Sequence, residues 1–333
     1  MITIRDLARR AGVSVATVSR VFNNYPDVSE ATKAKVMALA AEMGFRPSAA
    51  ARTLKTRRSN VVGVFFNDHM DSDLMHPFFQ EVIVGFKRRV GAAGYDLLLF
   101  STMPPGDGDD AFVKAARHHR VDGVVVMGAD PGAPAVHRLA ASGIPCMAVD
   151  IDLSGKRAGY VMSDNPEGAR LAVRHLHELG HRRIATITGL LSTRPGHDRL
   201  VGYRDALQAL DLPYRPEYVR DGDFSRPSGQ TAMHDLLALP EPPTAVFAAG
   251  DIMAIGAMRA AHERGLVLPR DLAVVGFDDI QLAAMVHPAL TTIRQDKEGL
   301  GAAAAEGLVA MIEDPDCPPP QVTLPVALVV RES

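Results

Sequence analysis

Two cysteines in 333 residues, Cys146 and Cys317, are too few for a disulfide framework or a thiolate metal site, and a reducing cytoplasm is the compartment expected. No run of about 18 apolar residues occurs, so the sequence offers no membrane helix. Met1 to Arg10 mixes charged and apolar side chains, unlike the continuous hydrophobic segment of a secretory signal. The phosphate-cradling G-x-x-x-x-G-K-[ST], a G-x-G-x-x-G after a strand and the nucleophile elbow G-x-S-x-G are all missing. His177-Glu-Leu-Gly-His181 fits the zinc-peptidase pattern H-E-x-x-H. That chemistry needs both imidazoles one turn apart on a continuous helix, whereas Gly180 is a natural helix end that puts His181 in a loop. No metal, no cofactor and no enzymatic activity are expected.

What is present is a globular composition, 47% hydrophobic and 23% charged, in a chain long enough for two or three domains. The net charge of −3 hides an asymmetry. Residues 1–60 hold eleven Lys and Arg against four acids (Asp6, Asp27, Glu30, Glu42), a net +7, and the rest of the chain carries −10. A basic head on an acidic body is the pattern of a polyanion-binding module fused to something else, although a solvated basic helical domain gives the same count.

The head reads as short helices. Thr3 caps the first, with Asp6 at its positive end, and Ile4, Leu7, Ala8 and Ala11 fall on one face. Gly12 stops it, because glycine enters the left-handed conformation without steric penalty. Ser14 starts a second helix with Val18, Val21 and Phe22 inward, and a third runs from Ser29 to Gly44. Two helices joined by a short glycine turn and followed by a third form the helix-turn-helix arrangement. After Pro47, Ala49 to Lys55 is long enough for only about two turns of helix, too short to hold alone in water. It reads either as a segment that folds on a partner or as an alanine-rich linker.

From Asn60 onward apolar runs alternate with amphipathic helices: strands at 61–66, 95–100, 123–127, 146–149, 184–188, 245–248 and 273–277, and helices at 79–90, 109–119, 165–179, 200–210 and 251–264. Alternation of this length implies parallel sheets covered on both faces. Two such series imply two lobes, with a ligand in the cleft beyond the strand carboxyl ends.

Thr3-Ile-Arg-Asp-Leu-Ala-Arg-Arg-Ala-Gly-Val-Ser-Val-Ala-Thr-Val-Ser-Arg-Val-Phe-Asn23 resembles the DNA-binding head of the lactose-repressor (LacI/GalR) family, and Pro47-Ser-Ala-Ala-Ala-Arg-Thr-Leu54 resembles its hinge helix. The body carries similar motifs in order: Val121-Asp-Gly-Val-Val-Val126, Leu179-Gly-His-Arg-Arg-Ile-Ala185, Val274-Val-Gly-Phe-Asp-Asp279 and Pro288-Ala-Leu-Thr-Thr-Ile293. The resemblance implies an α/β chain: a helix-turn-helix head (1–46), a hinge helix and linker (47–60), then two doubly wound parallel-sheet lobes similar to periplasmic sugar-binding proteins. It places the N-lobe at 61–161 with 295–321 and the C-lobe at 162–294 with 322–333.

The function implied is a homodimeric DNA-binding transcriptional repressor with no membrane role, its affinity for an inverted-repeat operator set by a small effector, a sugar. Ser14, Val15, Ala16, Thr17 and Arg20 would face base edges in the major groove. Arg20 would pair with guanine O6 and N7, or else bind a phosphate. Thr3, Thr17, Asn23 and the region of Ser29 would position the head through phosphates. Leu54, flanked by Ala51 and Lys55, would wedge into a central pyrimidine–purine step in the minor groove. For the effector the resemblance nominates Phe78, Phe79, Asp150, Arg199, Phe224 and Asp278. Core packing for the two phenylalanines and an ion pair for Arg199 and Asp278 are the alternatives.

Two departures from the family pattern stand out. Gly250-Asp251 replaces the usual Asn-Asp pair, removing one amide from the site. The stretch 67–76 is longer than usual, and its His69, Asp71, Asp73 and His76 read as a solvated loop in preference to a metal site. Other readings of the whole chain are a solute-binding protein of a transport system, which would share the body, and a purine- or nucleoside-responsive regulator.

Overall fold

A computed structural model describes residues 2–22, 25–45, 58–66, 76–100, 108–128 and 132–333. Asn23, the hinge-helix segment with Ala51, Leu54 and Lys55, and His69, Asp71 and Asp73 lie outside the described residues. The chain divides into two units, 1–60 and 61–333.

In the first unit, α1 (Ile4–Ala11), α2 (Val15–Phe22) and α3 (Glu30–Met43) close on a core of Leu7, Ala8, Ala11, Val18, Val21, Val28, Val36 and Ala40. Thr3 and Asp6 form a reciprocal capping box at α1, and Gly12 (φ 71°) and Gly44 (φ 64°) end α1 and α3 in the left-handed region that favours glycine. Phe22 and Phe45, with ring centroids 5.6 Å apart, close the bottom of this core.

The second unit holds β1 (Val61–Phe66), β2 (Asp96–Leu99), β3 (Gly123–Met127), β4 (Cys146–Val149), β5 (Ala158–Ser163), β6 (Ile184–Ile187), β7 (Val219–Arg220), β8 (Ala245–Ala248), β9 (Ala273–Asp278), β10 (Thr291–Gln295), β11 (Gln321–Leu324) and β12 (Val326–Val329). Its helices are α4 (Pro77–Ala92), α5 (Ala111–His119), α6 (Pro134–Ala141), α7 (Asn165–Glu178), α8 (Arg194–Ala209), α9 (Arg226–Leu237), α10 (Asp251–Glu263) and α11 (Lys297–Glu313). Two six-stranded sheets run β11-β5-β4-β3-β1-β2 and β12-β10-β9-β8-β6-β7. Every pairing is parallel except that of β12 with β10.

Both faces of each sheet are buried. Val62 and Val64 join one cluster and Phe65 the other, and Val246 and Phe247 divide in the same way in the second sheet. This is why the strands read as continuous apolar runs instead of alternating ones. No helix among the described residues is long and apolar enough to cross a membrane.

The chain passes between the lobes at single residues: Asp164 after β5, Asp296 after β10 and Pro325 after β11. Asp164 (φ −72°, ψ 75°) and Asp296 (φ −78°, ψ 77°) share one conformation, and each caps the helix it enters. Asp164 N–H also donates to Leu324 C=O at 2.9 Å. The expected boundaries at 161/162, 294/295 and 321/322 are thus corrected to the ends of β5, β10 and β11. The chain cannot leave before its ladder ends, and Val161 and Ser163 still pair with Val322 and Leu324.

Other elements also differ from expectation. The helix expected at 200–210 begins at Arg194, because Thr193 caps it and Pro195 is tolerated in a first turn. α7 ends at Glu178, Gly180 lies at φ 97°, and His181 Nδ1 sits 3.0 Å from Thr244 Oγ1, so the H-E-x-x-H imidazoles do not share a helix. α4 and α11 cross closely: a Cβ on Gly85 would lie 2.1 Å from Glu298 O, and one on Gly301 1.9 Å from Val82 O. This crossing packs the first turns of α11 against the middle of α4.

Candidate functional site

In the head, α2 turns Val18 and Val21 inward and leaves Ser14, Val15, Ala16 and Arg20 exposed. Ser14 Oγ accepts the Thr17 N–H at 3.0 Å and lies 2.9 Å from Thr17 Oγ1, so these two hydroxyls first complete the helix start. Ser29 does the same for α3 through Thr32 N–H. The Thr3 hydroxyl donates to Asp6 Oδ2 at 2.6 Å, and the hydrogen bonds from Thr3 hold the Asp6 carboxyl below its usual range. Arg20, expected from sequence as a base reader, lies against Asp27, with Nη1 2.9 Å from Oδ2. Nothing in the spacing foretells that pairing.

In the body, Phe78, Phe79, Asp150, Arg199, Phe224 and Asp278 line one cavity with about 550 Å³ of atom-free space, counting its open side, together with His76, Gly128, Val149, Ile151, Thr193 and Pro195. The walls are the start of α4, the residues after β3, β4 and β7, the end of β9 and the first turns of α8. Both lobes therefore contribute, and the two carboxylates, Asp150 and Asp278, stand at strand carboxyl ends.

Arg199 is the buried cation of the site. Nε donates to Asn165 Oδ1 (2.8 Å) and Nη1 to Ala249 O (2.6 Å), Nη1 lies 3.6 Å from Asp278 Oδ1, and the guanidinium carbon sits 3.7 Å from the Phe277 ring centroid. It is at once an ion-pair member and a cavity wall. Asp278 Oδ1 also accepts from Gln295 Nε2 at 2.7 Å, while Lys297 Nζ holds the carbonyls of Asp278 and Asp279 at 2.6 and 2.8 Å. Phe224 stands in contact with Gly189, where a Cβ would come within 2.0 Å of its ring. Phe78 is buried in the N-lobe core yet shows an edge to the cavity.

Asp150 (φ 60°), Phe224 (φ 69°) and Asp278 (φ 115°) occupy backbone regions that side chains rarely adopt. Each costs about 1–3 kcal/mol and persists only where the surroundings impose it. Burial pushes the Asp150 carboxyl up to about 6, with Arg199 opposing and Asp278 adding to the rise. Among the described residues, four buried polar atoms have no hydrogen-bond partner: Asp150 Oδ1, Ser163 Oγ, Thr188 Oγ1 and Gln295 Oε1. All four belong to residues at, or one past, the carboxyl ends of strands, where a polar ligand or ordered water would relieve them.

The reading of His76 as part of a solvated loop is corrected: it is buried, caps α4 and lines the cavity. Its Nδ1 accepts the Phe78 N–H at 3.3 Å, and burial lowers its pKa, which leaves a neutral ring with its proton on Nε2. The residue before Pro77 at a helix start was the available signal. Arg194 links the lobes, with Nη1 2.9 Å from Asp152 of the N-lobe and Nε 2.6 Å from Asp198. Asp251 is structural: it accepts from Ile280 N–H and the Thr292 hydroxyl, and burial raises its pKa. At Gly250 a Cβ would stand 3.4 Å from Phe224 Cδ1 and 3.7 Å from Asp278 Oδ2, beside two residues that line the cavity.

Residues 3–48 match the family described as bacterial regulatory proteins, lacI family, and residues 173–333 match the periplasmic binding protein-like domain. The chain is 40% identical over 307 residues (91% of this chain, 88% of the relative) to the HTH-type transcriptional repressor PurR of Pectobacterium carotovorum subsp. carotovorum strain PC1. Its fold is similar to the lac repressor dimer bound to operator and the anti-inducer ONPF (TM-score 0.84, 32% identity, 99% and 98% of the two chains). It is also similar to the transcriptional regulator CelR–cellobiose complex (TM-score 0.77, 33% identity, 100% of both chains). With a helix-turn-helix head, two lobes around one cavity and relatives of this kind over nearly its whole length, the chain belongs to the lacI family of bacterial regulatory proteins: it is a DNA-binding transcriptional repressor with an effector-binding body, and not an enzyme.

Proposed function

We propose that the effector is a neutral sugar held between the lobes, and that it sets the affinity of a cytoplasmic homodimer for an inverted-repeat operator. The observation that carries the sugar is the acceptor pair Asp150 and Asp278 lining the same cavity, with Asp150 Oδ1 unpartnered and one cation, Arg199, beside them. Two carboxylates against one guanidinium favour a ligand that donates hydroxyl protons and carries no negative charge. The Phe79 and Phe224 rings offer faces to the apolar side of a pyranose. CelR, similar over its whole length, holds cellobiose. The PurR relative and the same aromatic rings favour a purine as the second reading.

A thermal-shift screen separates the two. Cellobiose and simple hexoses, near a hundred times their dissociation constant, are expected to add about 2.7 kcal/mol and raise the melting temperature by roughly 5 °C or more. Glucuronate and hypoxanthine are expected to leave it unchanged. Stabilisation by hypoxanthine alone reverses the assignment.

On DNA, Ser14, Val15, Ala16, Thr17 and Arg20 are assigned to the major groove, and Thr3, Asn23 and Ser29 to phosphates. Ala51, Leu54 and Lys55 are assigned to the minor groove at the operator centre, where paired Leu54 side chains kink a pyrimidine–purine step. Effector binding shifts the lobes between two states that permit or forbid that pairing, by its differential affinity for them. Leu54→Ala is then expected to weaken specific binding and reduce operator bending, with non-specific affinity mostly spared. Gel-shift circular permutation reads the bend. A parental bend and parental affinity in the variant remove the wedge.

A further inference from the structure

Asp27 is one of only four acids in a head of net charge +7. A carboxylate beside a DNA-reading helix repels phosphates, so its place there calls for a reason. Stability does not supply one. The Arg20 and Asp27 side chains are 56% and 48% exposed, and an ion pair so open to water contributes little to folding.

Geometry supplies a better account. Nη1 of Arg20 lies 2.9 Å from Asp27 Oδ2, and its guanidinium carbon is 5.7 Å from the centroid of the Tyr25 ring. The turn carrying both partners is pinned at each end. Tyr25 N–H donates to the Arg20 carbonyl at 3.1 Å, and Val28, one residue past Asp27, is buried in the head core beside the Ser29 cap of α3. A long, freely rotating side chain is thereby given a carboxylate at one edge and a ring at its face.

We infer that Asp27 and Tyr25 are positioning residues that set base specificity: they hold the Arg20 guanidinium as a ready-made fork whose Nε–Nη2 edge is presented to guanine, and Asp27 cancels the charge that would otherwise make Arg20 a phosphate anchor. The inference rests on the reading, given above, that Arg20 faces base edges. Two separable consequences follow. Releasing the arginine restores its rotamer freedom, which must be lost again on binding the base, a penalty of about two- to tenfold in discrimination. Removing the carboxylate also adds a net positive charge per head, which steepens the salt dependence of binding to any duplex by up to about 0.9 in log–log slope for each head.

The test uses the full chain, a palindromic duplex chosen by the parent from a randomised pool, the same duplex with each half-site pair replaced in turn, and a mixed-sequence duplex. Asp27→Asn is expected to lose about two- to tenfold of the preference for one guanine per half-site, to bind the mixed duplex more tightly, and to show the steeper salt slope. Tyr25→Leu changes no charge, so it is expected to lose preference at the same guanine with the parental slope, and it keeps the inference testable if Asp27→Asn melts early. Asp27→Glu is expected to recover part of the preference. If Arg20→Ala abolishes the guanine preference while Asp27→Asn and Tyr25→Leu leave it intact, the positioning role is overturned and Asp27 is only a charge. If Arg20→Ala also leaves every base preference unchanged, the failure lies with the placement of Arg20 on the bases, and the inference falls with it.

Discussion

Arg199→Met is expected to destabilise the effector body by about 3–5 kcal/mol and to abolish the effector response. The methionine fills much of the arginine's volume but leaves the acceptors Asn165 Oδ1 and Ala249 O without their donor. It also leaves Asp150 and Asp278 in the cavity with no cation between them. Removing one partner of a buried charge pair exposes the full desolvation penalty of the other, and here two carboxylates are affected. A melting curve of the full chain is expected to fall by roughly 10 °C. Arg199→Lys keeps the charge but cannot reach Asn165, Ala249 and Asp278 together, so it is expected to recover stability only in part. A methionine variant that melts within a degree of the parent contradicts this account of the cavity.

Asp150→Asn is expected to do the opposite, with an effect that depends on pH. Burial holds this carboxyl at about 6 in the folded chain, against 3.8 for an unperturbed aspartate. Between those values the folded chain keeps a proton that the unfolded chain has released. The contribution of Asp150 to stability therefore falls as pH rises from about 4 to 6, and stays low above that window. Its ionisation at pH 7 costs about 3 kcal/mol, a penalty that the neutral amide avoids. The variant is thus expected to melt above the parent at pH 7.5 and level with it near pH 4, while binding effector poorly because an acceptor-only group has become a donor. A stability difference that is the same at both pH values removes the buried-carboxylate explanation.

The parts of the fold that were legible in the sequence are those where one physical requirement acts alone. Gly12 and Gly44 mark helix ends because the backbone there must turn left-handed, and Thr3 with Asp6 announces its capping box. Strands such as Val61–Phe66 read clearly because both sheet faces bury them. α11 does not read as an amphipathic helix: it is rich in alanine and glycine and packs through Gly301 against Gly85 of α4, so small residues all round it blur the 3.6-residue period. β7, β11 and β12 are sheet-edge strands of two to four residues, too short and too mixed in burial to carry a pattern. In the cavity, the motif resemblance located Arg199 and Asp278, whereas His76 and the Asn165 contact to Arg199 depend on distant segments meeting. The pairing of Asp27 with Arg20 has no periodic signature at all.

The lobe crossings have a mechanical consequence. Asp164 and Asp296 adopt nearly the same backbone angles and both grip the helix that follows, while Pro325 has its φ locked by its ring. Connectors one residue long, tied side by side through Asp164 and Leu324, leave little freedom for sliding or shearing. Such connectors would favour rocking about a common axis over sliding, with the two aspartates as its fulcrum. A sub-ångström adjustment where a ligand meets Asp150 or Asp278 would then be delivered as a larger swing at the rims of the lobes. The stiffness of the fulcrum, as much as the affinity of the cavity, would decide how far that signal reaches.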